Sequence, residues 1–173
     1  MRKILVVVDM QNDFVDGSLG TKEAVGIVEN VVEEIKKYRT EDIFATRDTH
    51  PENYLETQEG KHLPVVHCVK NTNGWEINKE VAAVLKDAKV IDKPTFGSKE
   101  LAEEITKIAE KEEVEVTLVG LCTDICVVSN ALLIKAYLPN ICVKVIASCC
   151  AGVTPESHEA ALTTMKMCQV EVC

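Results

Sequence analysis

Val119-Gly120-Leu121-Cys122-Thr123-Asp124-Ile125-Cys126 is where two patterns of this chain meet. Before it, Glu115 to Val119 is a short β-branched and apolar run of strand character. After it, Cys126 to Tyr137 is apolar nearly all round, as in a heavily buried helix. The glycine ends the strand, and Thr123 stands where an N-cap residue would start the helix. Cys126 then falls in the first helical turn, where the positive end of the dipole favours a thiolate. Taken alone, the same cysteine also fits a small buried hydrophobe.

Working outward, Ile4 to Val8 is a continuous apolar run ending at Asp9, the pattern of a strand covered on both faces. Val25, Val28, Val32 and Ile35 recur at helical spacing and predict a helix from Lys22 to Tyr38. Ile43 to Thr46 reads as the second strand, and Arg47-Asp48-Thr49-His50 leaves its end. Residues 51 to 64, punctuated by Pro51, Gly60 and Pro64, read as a long loop, and Val65 to Val69 as a short extended piece. Trp75 to Leu85 reads as a short helix. Val90-Ile91 is a brief strand that delivers Asp92-Lys93-Pro94. Ser98 opens a helix marked by Leu101, Ile105 and Ile108. Ile141 to Ala147 is a further strand, Thr154-Pro155 opens the last helix, and Val170 to Val172 suggests an edge strand. Strands alternating with helices throughout predict an α/β three-layer sandwich, a parallel sheet between two helical layers, as one domain over residues 1–173.

Composition narrows the function classes. A net charge of −9 with no basic run gives no electrostatic footprint for nucleic acid or an anionic bilayer. No segment approaches the length of apolar chain that spans a membrane, and Ile4 to Val8 is too short for a secretory signal core. The expectation is a cytoplasmic protein with reduced thiols. The eight cysteines lack the spacing of a disulfide framework or a zinc finger.

Two groups of residues carry candidate chemistry. Asp9, Lys93 and Cys126 each follow a strand, and strands ending on one edge of a parallel sheet bring such residues together. An ammonium lowers the pKa of a neighbouring thiol, and a carboxylate can accept its proton and return it to a leaving amine. Judged singly, Asp9 also fits a loop acid and Lys93 a surface charge. Asp48 and His50, at i and i+2 in an extended segment, leave the same face, and His67 follows a loop long enough to fold back. One carboxylate and two imidazoles suit zinc, iron or manganese, and equally fit solvated loop residues. His62 and His158 are left over and read as surface residues.

Together, Asp9-Met10-Gln11-Asn12-Asp13-Phe14, Thr46 to Asn53, Pro64-Val65-Val66-His67-Cys68, Lys93 and Gly120 to Val127 resemble the isochorismatase-like cysteine hydrolases, most of all their nicotinamidase branch. The resemblance runs from Val6 to about Val153, in order. It implies a six-stranded, mainly parallel sheet and a catalytic triad of Asp9, Lys93 and Cys126. A divalent metal, zinc first and iron or manganese next, would be held by Asp48, His50 and His67. A cis peptide at Leu121-Cys122 and an oxyanion hole from the N–H groups of Cys122 and Cys126 are implied too. So are Phe14, Phe96 and Leu121 as substrate-binding walls, with Trp75 as a further candidate; each phenylalanine equally fits core packing. Tyr54 stands in a region where the branch often has a further histidine, and Pro64 where it commonly has an aromatic.

The activity so implied is hydrolysis of nicotinamide to nicotinate and ammonia through a thioester on Cys126. The alternative is the same thiol chemistry on another small amide, ureido or carbamoyl compound. Branches acting on isochorismate lack the nucleophilic cysteine, and Asp9, Lys93 and Cys126 together count against a non-catalytic binding module. A redox or metal-storage role would need paired cysteines. Expected partners are the small amide and a second copy in a homo-oligomer; the apolar Leu132-Leu133-Ile134 fits an interface for it and equally fits plain core.

Overall fold

The computed structural model describes residues 1–173. Its centre is a six-stranded sheet of β1 (Arg2–Val8), β2 (Ile43–Asp48), β3 (Lys89–Lys93), β4 (Val114–Leu121), β5 (Cys142–Ala151) and β6 (Glu171–Val172), in the order β3-β2-β1-β4-β5-β6. Every neighbouring pair is parallel, β6 included, so "mainly parallel" becomes wholly parallel. The apolar run at β1 has its cause here. Leu5 and Val7 face one hydrophobic cluster while Ile4, Val6 and Val8 face another across the sheet, so no position from Ile4 to Val8 meets water.

The helices are α1 (Asn12–Val15), α2 (Lys22–Gly26), α3 (Val28–Ile35), α4 (Gln58–His62), α5 (Lys79–Leu85), α6 (Lys99–Ala109), α7 (Val128–Tyr137) and α8 (Pro155–Met167). Buried residues of α2, α3 and α5 join the first cluster, and those of α6, α7 and α8 the second. None of these helices is long and apolar enough to cross a membrane. Because β1 lies between β2 and β4, successive strands are added in opposite directions on its two sides. In open α/β sheets the crevice beyond the strand ends at that point is where ligands bind.

Several boundaries depart from the sequence expectation. The first helix breaks at Ile27 into α2 and α3, with Thr21 capping α2. The supposed loop 51–64 contains a 3₁₀ turn, Tyr54–Glu56, and then α4, because the Thr57 hydroxyl accepts from Gly60 N and caps it. Of the extended piece 65–69, only Val69 pairs in β fashion, with His50. Trp75 ends a separate 3₁₀ turn, and α5 starts after its own cap, Asn78. β4 runs on to Leu121, and Thr123–Val127 forms a π-turn before α7. The N-cap is Cys122, without a side-chain cap; Thr123 is spent elsewhere, its hydroxyl 2.8 Å from His158 Nδ1. His158 is therefore half-buried and paired, while His62 is exposed as expected. Ile134 belongs to the core, and Leu132 packs partly against it.

Candidate active site

Asp9 leaves β1 beside the π-turn that follows β4, and one glycine makes this closeness feasible. Gly120 has φ +116°, and a Cβ there would lie 2.1 Å from the Val8 carbonyl oxygen. No other residue fits between the two strand ends. The Leu121–Cys122 peptide bond beyond it is cis, and Asp9 adopts the left-handed region with φ 46°.

Lys93, at the end of β3, crosses behind β2 to the same point. Its Nζ lies 2.7 Å from Asp9 Oδ2, 3.3 Å from Cys126 Sγ and 3.5 Å from Asp48 Oδ1, and donates to Thr95 O at 3.2 Å. All four side chains are buried. The Thr46 hydroxyl donates to Asp9 Oδ1 at 2.6 Å. The other oxygen, Oδ2, is ion-paired with Lys93 but receives no well-directed hydrogen bond, which leaves a lone pair available for a proton. The structure thus brings together the three residues delivered by three separate strands.

Their electrostatics differ from the expectation of a resting thiolate. Burial, then the charge of Asp9, pushes the Cys126 thiol well above its ordinary value, and Lys93 only opposes this. Burial also raises Asp9 against the pull of Lys93. For Lys93 burial acts downward, but Asp9, Cys126 and Asp48 outweigh it, and the ammonium stays charged. Burial therefore favours the thiol form of Cys126 beside a charged Lys93. At mildly acidic pH, iodoacetamide is expected to modify exposed Cys168 and Cys173 well before buried Cys126, as read by mass spectrometry of the peptides. Faster labelling of Cys126 would contradict this assignment of the proton.

The second group lies next to the first. Asp48 Oδ2 is 2.8 Å from His50 Nε2 and 3.6 Å from His67 Nε2, and Glu59 Oε1 approaches the same nitrogens at 3.7 and 3.8 Å. Donor atoms of all four residues fall within 4.8 Å of one another. His67 Nδ1 donates to Val65 O at 2.8 Å, which turns Nε2 toward the cluster. Burial works to raise Asp48, but hydrogen bonds from His50 and His67 and the charge of Lys93 hold it well below the carboxylate range. Converging oxygen and imidazole donors without thiolate fit a zinc, iron or manganese ion.

Between the two groups lies a cavity of about 220 Å³, lined among others by Phe14, Phe96, His67, Cys122, Ile125 and Cys126. Leu121 does not line it; side chains alternate along β4, and Leu121 packs into the core. Trp75 is core as well. Its indole donates to the Thr49 hydroxyl at 2.9 Å, and the Arg47 guanidinium stacks 3.6 Å over its ring. The N–H of Cys122 donates to no group of the chain, whereas its carbonyl accepts from Ile125 N and Val127 N.

Three residues escaped the sequence reading, and Tyr54, noted there only for its place, joins them in the site. Glu59 sits on α4, for which the cap Thr57 three residues before Gly60 was the available signal. The Gln11 amide clamps Asp48 from both sides, accepting from its N–H at 2.7 Å and donating to its carbonyl at 2.8 Å. Asn130 accepts from Ser98 N and donates to Phe96 O and Cys126 O, tying the 94–98 loop to the π-turn. Tyr54 is wholly buried, and burial pushes its phenol up to about 12. Nothing local distinguishes Gln11, Asn130 or Tyr54 from ordinary polar and aromatic residues.

A parallel α/β sheet with a thiol, ammonium and carboxylate at its switch point, beside a set of nitrogen and oxygen donors, defines the class of this protein. The sequence profile of the Isochorismatase domain matches residues 3–173, and the chain belongs to that family. It is similar to a nicotinamidase of Saccharomyces cerevisiae, with 29% identity covering 75% of this chain and 80% of the relative. Among solved structures, a pyrazinamidase of Pyrococcus horikoshii in complex with zinc is 31% identical, covers 100% of this chain and 99% of its own, and superposes with a TM-score of 0.83. The nicotinamidase/pyrazinamidase PncA of Bacillus subtilis is 25% identical over the full length of both chains, with a TM-score of 0.85.

Proposed function

We propose that this protein hydrolyses nicotinamide to nicotinate and ammonia through a thioester on Cys126. The observation that carries the reading is the meeting of Cys126, Lys93 and Asp9 at one end of an apolar cavity whose other wall includes Asp48, Glu59 and His67 of the donor set, with His50 beside them. The similarity to nicotinamidases and pyrazinamidases supports the choice of a heteroaromatic amide.

Cys126 Sγ attacks the amide carbonyl carbon as its proton passes to Asp9, whose buried carboxylate is a good acceptor. Lys93 remains charged and stabilises the negative charge developing on sulfur. The N–H groups of Cys122 and Cys126 receive the charge that builds on the carbonyl oxygen. As the C–N bond breaks, Asp9 returns the proton to nitrogen and ammonia leaves. Asp9 then takes a proton from water, which attacks the thioester carbon; the acid departs and sulfur recovers its proton. A divalent cation, zinc by preference, would supply a Lewis-acid contact for the ring nitrogen when held by Asp48, His50, Glu59 and His67. Phe14 and Phe96 serve as walls for the ring.

The test is ammonia release by purified protein from nicotinamide, pyrazinamide and a panel of ureido and carbamoyl compounds, with and without chelator. Nicotinamide is expected to be the good substrate, with chelation reducing kcat/KM by about a hundredfold through lost orientation. Turnover confined to the ureido or carbamoyl compounds would overturn the choice of substrate.

A further inference from the structure

The donor set has to be held in shape by something, and hydrogen bonding accounts for only part of it. His67 is oriented through Nδ1 by Val65 O. His50 has no such anchor: its one side-chain hydrogen bond is the Nε2 contact with Asp48 Oδ2, and its Nδ1 meets no partner in the chain. Metal-binding imidazoles usually gain their orientation from a bond at the second nitrogen. What meets the His50 ring instead is Tyr54, edge to face, with centroids 4.7 Å apart. The same phenol ring meets His67 edge to face at 4.9 Å, and the two imidazoles lie 4.7 Å from each other. The three rings form a closed triangle with favoured aromatic geometry.

Tyr54 reaches the fourth donor through its backbone. Its carbonyl accepts from Thr57 Oγ1 at 2.6 Å and Thr57 N at 2.9 Å, which seats the cap of α4, the helix of Glu59. A Cβ at Gly60 would approach that carbonyl oxygen to 2.1 Å, so the helix rests directly on Tyr54. The hydroxyl is spent away from the cluster, donating to Leu63 O at 2.9 Å. Tyr54 is therefore a support for the donors and no donor itself.

We propose that the Tyr54 ring is the positioning residue of the cation site, a buried aromatic strut that fixes the rotamers of His50 and His67 so that both Nε2 atoms converge with Asp48 and Glu59. This rests on the cation site of the proposed function. The experiment reads the site without turnover: metal-stripped protein is titrated with Co²⁺, following its visible absorption bands and competition with a chelating dye. Y54L is expected to bind Co²⁺ about 10–100-fold more weakly than wild type, with altered bands, as for loss of an outer-shell partner. Y54F, which keeps the ring, is expected to stay within about threefold of wild type with unchanged bands.

Circular dichroism of the metal-free proteins separates this from misfolding, and Y54M replaces Y54L if the leucine variant does not fold. Wild-type affinity and bands in a folded Y54L or Y54M would overturn the strut. A tenfold or greater loss in Y54F would also overturn it, by placing the effect in the hydroxyl, and this arm suffices if neither aliphatic variant folds. Wild type that binds no Co²⁺ at all would remove the cation site and the strut together, whereas equal binding by wild type and Y54L removes the strut alone.

Discussion

Cys126→Ala is expected to abolish ammonia release, with kcat falling by at least about 10⁴-fold, while the protein stays folded and still binds the amide. The Cys126 sulfur is the cavity thiol within reach of Lys93, at 3.3 Å, and removing it leaves Asp9 and Lys93 paired with each other at 2.7 Å. Losing one small buried side chain leaves a minor void and no unpaired charge, so stability should change by only about 1–2 kcal/mol. A steady-state assay with an ammonia-coupled readout and a urea melt give the two numbers. Turnover within tenfold of wild type would mean that water is activated directly and that no thioester forms.

Lys93→Ala is expected to be silent in the same assay and, unlike Cys126→Ala, to be severely destabilised. Lys93 is 1% exposed and is the counter-charge to Asp9 and Asp48, both buried. Its loss leaves two carboxylates facing each other away from water, which costs about 3–5 kcal/mol. The sign of the pH dependence follows from Asp9. Burial already raises its pKa, and without the ammonium the raise grows. A folded-state pKa above the unfolded one penalises the native state as pH rises, so the deficit should shrink on acidification and widen toward alkaline pH. Asp9→Asn combined with Lys93→Ala should recover much of the stability and none of the turnover. Urea denaturation across the pH range checks both statements; retained turnover in Lys93→Ala would refute the role given to the lysine.

Asp9, Lys93 and Cys126 were legible because each follows an apolar strand run, and parallel strands deliver their ends to one edge. Asp48 and His50 were legible by their alternation out of β2. Glu59 was not, because α4 is five residues long and its periodicity is drowned by Pro, Gly and charged neighbours. Leu121 was misplaced for a related reason: on a strand, one residue's shift exchanges cavity for core. The forces on the Cys126 thiol were only partly legible. A helix dipole and a nearby lysine are visible as sequence neighbours, but the desolvation that outweighs them belongs to the assembled core.

By itself the sequence determined the layered architecture, since runs buried on both faces alternating with amphipathic helices admit few other packings. It also determined which strand ends carry a thiol, an amine and acids. Only the tertiary structure decided that β1 lies between β2 and β4, that Glu59 and Tyr54 join the histidines, and that burial works against a thiolate at Cys126. Those outcomes depend on distances and on the exclusion of water, which arise from residues far apart in the chain and have no local signature.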